Sequence, residues 1–449
     1  MKRKIYSQLV EWKDTAKGSC AVLLEGARRI GKSYIVEEFA KKEYKSYILI
    51  DFNNAPQKVR NYFEEYLDNL DMLFQLLQFH YKVQLIPRQS LIIFDEVQQC
   101  PRARAAIKYL VADGRYDYIE TGSLISIHKN VKNIMIPSEE YHLPMYPMDF
   151  EEFLWATGNE MLMPYIQDCF THRKPLGPIH HIAMENFRLY MVIGGMPQVV
   201  QKYIDTKDFR KAEEVKQSIL QLYKEDIRKY ATGAEAKAAN IFEAIPSQLQ
   251  LHGSHFCLAD LDKNARYMHY ESAFFWLRDS RIVNICYNTM APNIGFGMNM
   301  ERTTLKCYLG DTGLFISMAF DDHGQVPGEI YERLLHGKLE INLGMVLENM
   351  VAQMLLSNGH KLYYYHCIDN QNAANTMEID FLISKPQITS RHNIIPIEVK
   401  SSNHYSTRSL EKCMDKFGEY TTSPIVLHSK DLEIKDGITY LPLYMTSCL

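Results

Sequence analysis

The sequence predicts an α/β protein whose first part is built on a parallel sheet, and its apolar runs carry this prediction. An apolar run at residues 20–24 leads into a glycine-rich stretch at 26–33, and a helical pattern follows. A further apolar run at 91–94 and a short predicted strand at 118–120 are both followed by polar side chains. Fully apolar runs are typical of strands that are buried on both faces of a parallel sheet. The expected fold is therefore a parallel sheet with a loop-to-helix site at its edge.

The glycine-rich stretch, Gly-Ala-Arg-Arg-Ile-Gly-Lys-Ser, has the spacing of a phosphate-binding loop, or P-loop. Its glycines let consecutive backbone N–H groups point at phosphates, at the N-terminus of the following helix. Lys32 is expected to reach the outer phosphates, and the hydroxyl of Ser33 is expected to bind Mg²⁺. The residues predicted to contact the nucleotide in this stretch are Gly26, Ala27, Arg28, Arg29, Ile30, Gly31, Lys32, Ser33 and Tyr34.

Polar side chains that follow the next two predicted strands, at 91–94 and 118–120, complete the predicted nucleotide site. Acids at the carboxyl end of a buried strand lie beside the phosphate loop in this class of sheet. Asp95 is predicted to hold Mg²⁺ through water, and Glu96 to orient or deprotonate the attacking water. Thr121 and Ser123 can sense the γ-phosphate, although Ser and Thr beside Gly are by themselves ordinary turn formers.

From residue 23 to residue 154 the chain resembles the AAA+ class ATPases of the AAA_14/DUF4143 type. Bacteria and archaea carry these ATPases fused to a conserved C-terminal region of undefined role. Besides the phosphate loop, the matching stretches are Phe-Asp-Glu-Val-Gln at 94–98, Thr-Gly-Ser at 121–123 and Leu-Pro-Met-Tyr-Pro-Met-Asp-Phe-Glu-Glu-Phe-Leu at 143–154. The resemblance implies an ATP-dependent switch or motor that uses ATP and Mg²⁺, and it supplies no substrate. AAA+ proteins often complete their site with an arginine of a neighbouring subunit. No arginine stands out for that role here, so an oligomer and a monomer both remain open.

Composition and charge exclude several classes of protein. No segment has the apolar length needed to span a bilayer, and the start, Met-Lys-Arg-Lys, is not followed by a signal-peptide core, so we expect a cytoplasmic protein with no membrane partner. The nine cysteines form no Cys-x-x-Cys pair, which argues against a zinc ribbon or a redox pair. The net charge of −4 argues against non-specific nucleic-acid binding by the whole surface, but it leaves room for a local basic groove.

The middle of the chain is predicted to be largely helical. A helical pattern runs to about residue 230, with breaks at 174–178 and at Gly-Gly-Met-Pro, 194–197, and the family resemblance includes this second turn. We therefore predict a helical lid on the nucleotide domain. The charged side chains of Asp226 and Arg228 fit either an approach to a nucleotide or a solvated helix face.

A small winged-helix-like module is predicted after the lid. Helical patterns at 238–251 and 267–280 are followed by a short strand at 282–287, which is the layout of helix-turn-helix modules that bind DNA. The candidate recognition helix is rich in aromatic residues and poor in basic ones. Packing against a neighbouring domain and insertion into a DNA groove therefore both remain open.

A second group of charged residues lies near the C-terminus. Glu348 falls on a helical pattern, Asp380 on an alternating strand, and Glu398 and Lys400 on the next strand. A helix acid, then Asp, then Glu-x-Lys resembles the site of the PD-(D/E)xK nuclease superfamily. Glu398 and Lys400 share one strand face because they are two residues apart. Ile379 stands where the superfamily's name has proline.

The resemblance to these nucleases implies a metal-dependent site. Asp380 and Glu398 are predicted to share a divalent cation, and Glu348 is predicted to complete its ligand set. Lys400 is predicted to position or help deprotonate the water that attacks a phosphodiester. The predicted domains are an ATPase core at 1–159, a helical lid at 160–235, a winged-helix-like module at 236–305 and a PD-(D/E)xK nuclease-like domain at 306–449.

Two function hypotheses follow from this organisation. In the first, ATP binding and hydrolysis move the lid and C-terminal domains so that a metal-dependent nuclease acts on DNA or RNA. In the second, the protein is an ATP-driven switch whose nuclease-like domain only binds a protein partner. The intact set of three acids and Lys400 favours the first hypothesis. The near-neutral composition and the lack of a basic recognition helix favour the second.

Overall fold

The chain folds into two compact units, Met1–Tyr146 and Pro147–Leu449. The structure is a computed structural model, and it describes residues 1–122, 139–251, 253, 255–293, 295–321, 326–338, 343–372, 375–385, 393–402 and 404–449. Ser123 lies outside the described residues. The division into four domains stays a prediction.

The N-terminal unit is a parallel α/β sheet, as the sequence predicts. Its strands pair in the order β2-β3-β4-β1-β5, and all of these pairings are parallel. The strands are β1 (Ala21–Glu25), β2 (Ser46–Asp51), β3 (Ser90–Asp95), β4 (Asp117–Gly122) and β5 (Glu140–Pro144). The helices are α1 (Ile5–Ala16), α2 (Lys32–Glu43), α3 (Gln57–Glu65), α4 (Leu70–Tyr81) and α5 (Pro101–Asp113).

The three central strands, β3, β4 and β1, carry the residues of interest. Every residue of these strands is buried. Burial on both faces explains why the sequence shows β1 and β3 as apolar runs instead of alternating patterns. Rings of Phe63 and Phe94 pack edge to face at 5.5 Å on one side of the sheet. Because β4 lies between β1 and β3, its carboxyl end is adjacent to both the start of the phosphate loop and Asp95.

The C-terminal unit begins with helices, and both predicted breaks fall between them. The helices are α6 (Phe150–Thr157), α7 (Leu162–Thr171), α8 (Ile179–Ile193), α9 (Pro197–Thr206) and α10 (Phe209–Tyr230). Gly194 ends α8 with a φ of 83°, and a Cβ there would lie 2.3 Å from Oδ1 of Asp311. The N–H of Gly195 donates to Oδ2 of Asp311 at 2.6 Å. The glycine turn thus allows a close approach that a larger residue would prevent.

The second half of this unit forms one mixed sheet. Its helices are α11 (Glu235–Leu251), α12 (Tyr267–Asp279), α13 (Thr312–Ala319), α14 (Gly328–Leu335), α15 (Leu343–Ser357) and α16 (Arg408–Phe417). Its strands are β6 (Val283–Thr289), β7 (Met300–Leu309), β8 (Tyr363–Cys367), β9 (Met377–Ser384), β10 (Ile394–Val399), β11 (Ile425–His428), β12 (Glu433–Lys435) and β13 (Ile438–Pro442). The strand order is β12-β13-β11-β10-β9-β8-β6-β7.

The strand that was predicted to open a wing has a different setting. β6 pairs with β7 as an antiparallel hairpin, and it also pairs in parallel with β8. It is therefore an inner strand of the large sheet, and a separate winged-helix module is not confirmed. In the described parts of the chain, no helix has both the length and the apolar character needed to cross a membrane.

Candidate functional site

The phosphate loop connects the end of β1 to the start of α2. Gly31 precedes the helix in the left-handed region, at a φ of 91°, and Arg29 has a φ of 70°. A Cβ on Gly26 would lie 2.4 Å from the backbone oxygen of Met145. This tight path ends at the N-terminus of α2, where unpaired N–H groups and the helix dipole favour an anion.

The other residues of the loop divide into buried and exposed positions. Ala27 and Ile30 are buried and pack beneath the loop. Arg28 and Arg29 are exposed, and the Tyr34 side chain on the first turn of α2 is 53% exposed. The side chains of Arg28, Arg29 and Tyr34 are therefore accessible to solvent.

Lys32 lies inside the loop. Its Nζ donates hydrogen bonds to the backbone oxygens of Gly26, at 3.0 Å, and Ala27, at 2.9 Å. The residue is only 6% exposed, and this burial lowers the pKa of Lys32, while the charges of Glu96 and Asp95 oppose the shift. The ammonium group is therefore held by neutral carbonyl oxygens beside the predicted phosphate position.

Two hydroxyl groups converge on Asp95, which is buried. Ser33 Oγ donates a hydrogen bond to Oδ1 of Asp95 at 2.8 Å. The Thr121 hydroxyl donates to the same oxygen and accepts a hydrogen bond from the N–H of Glu96 at 3.3 Å. The sequence-predicted Ser33, Asp95 and Thr121 are thus in contact. Hydroxyl and carboxylate oxygens are the ligand types that Mg²⁺ prefers, so this set fits the expected cation.

Glu96 follows β3 in the left-handed region, with a φ of 53°. Its carboxylate accepts a hydrogen bond from the side-chain amide of Gln98, and the residue is partly exposed. A partly exposed carboxylate beside a buried Mg²⁺ ligand suits a group that must reach a water molecule. The contact between Gln98 and Glu96 was not predicted from the sequence. The available signal was the position of Gln98, two residues after Glu96.

A buried charge cluster on α5, β4 and β5 was also missed from the sequence. Arg104 lies 3.2 Å from Oε2 of Glu120 and 2.8 Å from Oε2 of Glu140, and all three side chains are almost fully buried. Burial and the charge of Glu140 raise the pKa of Glu120 well above its ordinary value, against the opposing charge of Arg104. The available signal was an acid at the end of the predicted strand 118–120.

In the C-terminal unit, Glu348 contacts a buried lysine that the sequence analysis did not select. Oε2 of Glu348 accepts a hydrogen bond from the Tyr308 hydroxyl at 3.0 Å and lies 3.4 Å from Nζ of Lys306. Lys306 also pairs with Oε1 of Glu378 at 2.8 Å. Burial lowers the pKa of Lys306, but the charges of Glu348, Glu378 and Asp380 outweigh it, and the pKa is raised above its ordinary value.

The other predicted residues of this group lie on the neighbouring strands β9 and β10. Oδ2 of Asp380 accepts a hydrogen bond from the N–H of Val399 at 2.7 Å, and burial together with the charge of Glu348 raises the pKa of Asp380 to about 8. Nζ of Lys400 lies 2.6 Å from Oε2 of Glu398, and burial raises the pKa of Glu398.

Each predicted acid of the C-terminal group thus has a partner within the protein. Within the described ranges, no group of three His, Cys, Asp or Glu side chains is close enough to hold a metal ion. The arrangement therefore does not present a ligand set for a divalent cation, and the metal roles of Glu348, Asp380 and Glu398 stay predictions. Lys306, Tyr308 and Glu378 were not predicted, because strand alternation does not indicate which charges will meet.

Comparisons with known proteins find three family models that match parts of the chain. Residues 19–154 match the AAA domain family AAA_14, 184–323 match a domain of unknown function (DUF8612), and 343–445 match a domain of unknown function (DUF4143). A search of curated proteins finds no significant match.

The solved structures with significant matches include two from archaea. One is a Walker-type ATPase of Pyrococcus abyssi, which is 16% identical to this chain and has a TM-score of 0.42. The match covers 71% of this chain and 95% of that chain. The other is the ORC1 protein of Aeropyrum pernix in complex with DNA, with 10% identity, 75% and 92% covered, and a TM-score of 0.29. The family matches confirm the AAA_14 and DUF4143 expectations, whereas a PD-(D/E)xK nuclease domain is not confirmed. The chain therefore contains an AAA-type P-loop ATPase domain and, near its C-terminus, a DUF4143 domain.

Proposed function

We propose that the protein is an ATP-driven switch whose N-terminal unit binds ATP with Mg²⁺ and hydrolyses it. The observation that carries the proposal is the convergence of the Ser33 and Thr121 hydroxyls on Asp95 next to a glycine loop that holds Lys32. ATP hydrolysis needs one group for the phosphates, one for the metal and one for the attacking water. Side chains suited to these three tasks lie together at the carboxyl ends of neighbouring strands.

Each side chain has a separate role in the proposed reaction. Lys32 would turn from the loop carbonyls to bind the outer phosphates. Ser33 and Asp95 would hold Mg²⁺, which would supply positive charge to offset that of the phosphates. Glu96, held by Gln98, orients the attacking water and accepts its proton. Thr121 fixes Asp95 and the backbone of Glu96 together, so a movement of β4 would reach both acids.

For the C-terminal region, the geometry favours the second hypothesis, a partner-binding module without nuclease chemistry. Lys306 contacts both Glu348 and Glu378, and Lys400 pairs with Glu398. An acid cluster that is already paired has less need of a divalent cation. We therefore propose that nucleotide state changes the binding of a protein partner by this region.

The nuclease hypothesis keeps one specific observation in its favour. Among the residues that the structure describes, the Asp380 carboxylate accepts a hydrogen bond from the N–H of Val399, and no cationic side chain is hydrogen-bonded to it. The pKa of Asp380 is raised to about 8 by burial and by Glu348, and the charge of Glu398 also contributes. Carboxylates that repel each other are a feature of sites that accept cations.

The test of the ATPase proposal is a Lys32→Ala variant. Loss of a positioned charge in a phosphoryl-transfer site is expected to lower ATP turnover by about 100-fold or more. Lys42→Ala is the matched control, because Lys42 is exposed on the same helix and pairs with Glu38 at 3.3 Å. Thermal unfolding of both variants checks that the fold survives. Unchanged turnover in folded Lys32→Ala would contradict the proposal.

A further inference from the structure

A cavity of about 520 Å³ lies in the C-terminal unit, next to the inner strand β6. Its lining comes from α12, β6, β7, the end of α15 and the start of β8, and its apolar part includes Val283, Ile285 and Leu362. This volume falls within the range of roughly 300–1,000 Å³ that is typical of small-ligand sites. The cavity belongs neither to the phosphate loop nor to the acid cluster around Lys306.

The charged residues that line this cavity are all cationic. They are Arg278, Arg281, Arg302 and Lys361, and no acid occurs among the described lining residues. The chain as a whole has a net charge of −4, so this concentration of positive charge is local. A basic patch of this kind attracts phosphate groups.

The cationic side chains differ in how far they are already neutralised. Arg278 pairs with the neighbouring Asp279 at 2.9 Å and lies over the ring of Phe275 at 4.9 Å. Arg302 and Lys361 are exposed, and neither has an ion-pair partner among the residues that the structure describes. Their charges are therefore available to an anionic ligand.

We propose that this basic cavity binds single-stranded nucleic acid, with a base in the apolar part and backbone phosphates on Arg302 and Lys361. Phe275 lines the cavity and is partly exposed, and its ring together with the Arg278 guanidinium that lies over it gives a planar surface of the kind on which bases stack. The proposal goes beyond the ATPase function and depends neither on the ATP site nor on metal chemistry.

Two features favour a strand over other phosphate-bearing ligands. Arg302 and Lys361 are exposed, and they come from separate parts of the fold, β7 and the segment before β8, which suits successive phosphates of a strand better than the adjacent phosphates of one nucleotide. A cavity can receive a base only when that base is unpaired, which favours a single strand over a duplex.

The test uses the full chain and a fluorescently labelled oligothymidylate, with binding followed by anisotropy over a range of salt concentrations. The Arg302→Glu/Lys361→Glu variant is expected to bind at least about 10-fold more weakly, with a salt slope reduced by about 1.4, since each phosphate contact on a single strand contributes roughly 0.7. Arg210→Glu/Lys435→Glu is the matched control, because it makes the same charge change at exposed positions of the same unit.

Thermal unfolding of both variants shows whether the cavity variant is folded, and Arg302→Gln/Lys361→Gln repeats the test without charge reversal. Weaker binding in the cavity variants alone supports the proposal. Equal loss in the control, absence of binding by the wild type, or binding of thymidine monophosphate or duplex in preference to the strand would overturn it. ATP turnover, measured in parallel, stays at the wild-type rate in each variant and separates this result from the ATPase proposal.

Discussion

The phosphate loop and the C-terminal acid cluster each bury a lysine among oxygen atoms, but the oxygens differ in charge. Lys32 donates to two neutral carbonyl oxygens, whereas Lys306 contacts the carboxylates of Glu348 and Glu378. Burial lowers the pKa of Lys32, whereas at Lys306 the charges of the surrounding carboxylates outweigh burial and raise the pKa. A lysine held by carbonyl groups keeps its charge available for an anionic ligand, whereas a lysine held by carboxylates is already neutralised.

The largest expected effect concerns the acid that serves the ATP site. Glu96→Gln removes the proposed proton acceptor and keeps the shape of the side chain, so ATP turnover should fall by about 10²–10⁴-fold while ATP binding persists. Turnover and the affinity for a fluorescent ATP analogue measure the two effects. Glu65→Gln, an exposed change in the same unit, is the control. Normal ATP turnover in Glu96→Gln would contradict the proposed role of Glu96. The N-terminal site would then no longer differ from the C-terminal one by having an acid that is free to act on water.

The next largest effect is expected when Lys306 is removed from beside Glu348 and Glu378. Lys306→Met leaves Glu348 and Glu378 without their buried cation and should lower the free energy of unfolding by about 3–5 kcal/mol. The double variant Lys306→Met/Glu378→Gln should recover part of this loss, because it removes one of the two carboxylate charges that Lys306 contacts. Urea unfolding measures both. Equal stability of wild type and Lys306→Met would show that the acids do not depend on this lysine.

A smaller effect concerns the pH dependence of the N-terminal unit. The raised pKa of buried Glu120 means that the folded state keeps its proton to a higher pH than the unfolded state. Its contribution to stability is therefore complete below the ordinary pKa of about 4.3 and is lost as pH rises towards the folded-state pKa, at up to about 1.4 kcal/mol per pH unit. Glu120→Gln should remove this slope. Unfolding at several pH values, with Glu65→Gln as control, measures it; identical slopes in wild type and Glu120→Gln would refute the assignment.

The smallest expected effect is a null result on metal binding. If contacts within the protein already occupy the C-terminal acids, these acids bind no metal ion. Mn²⁺ in the absence of ATP should then shift the melting temperature of wild type and of Asp380→Asn equally. A larger shift in the wild type would favour the nuclease hypothesis instead. Addition of EDTA to each sample shows whether a shift is due to the metal.

The sequence predicted the N-terminal site better than the C-terminal one for a physical reason. Ser33, Asp95 and Thr121 each follow or end a strand of one parallel sheet, and the carboxyl ends of such strands meet at a single edge. Their contacts therefore follow from the order of the motifs. The contact between Lys306 and Glu348 depends instead on how closely β7 approaches α15, which no local pattern encodes.

The same reason explains the position of β6. The two helices and the strand that were predicted at 238–251, 267–280 and 282–287 depend on local sequence patterns. Their predicted bounds are close to those of α11, α12 and β6. The parallel pairing of Tyr287 with Tyr363 joins residues far apart in the chain. Local periodicity carries no information about such a partner, so it suggested a small independent module.

The glycine turn after α8 has a consequence for anyone who divides this protein into fragments. The two carboxylate oxygens of Asp311 lie against Gly194 and Gly195, and a Cβ on Gly313 would lie 2.4 Å from the backbone oxygen of Ile193. Asp311 also caps α13 through the N–H of Leu314 at 3.0 Å. A fragment that ends at residue 305 would carry the turn without the aspartate that closes it. Shortened versions for crystallisation or expression should therefore keep both stretches on one polypeptide, and saturation mutagenesis should find almost no tolerated replacement at these glycines.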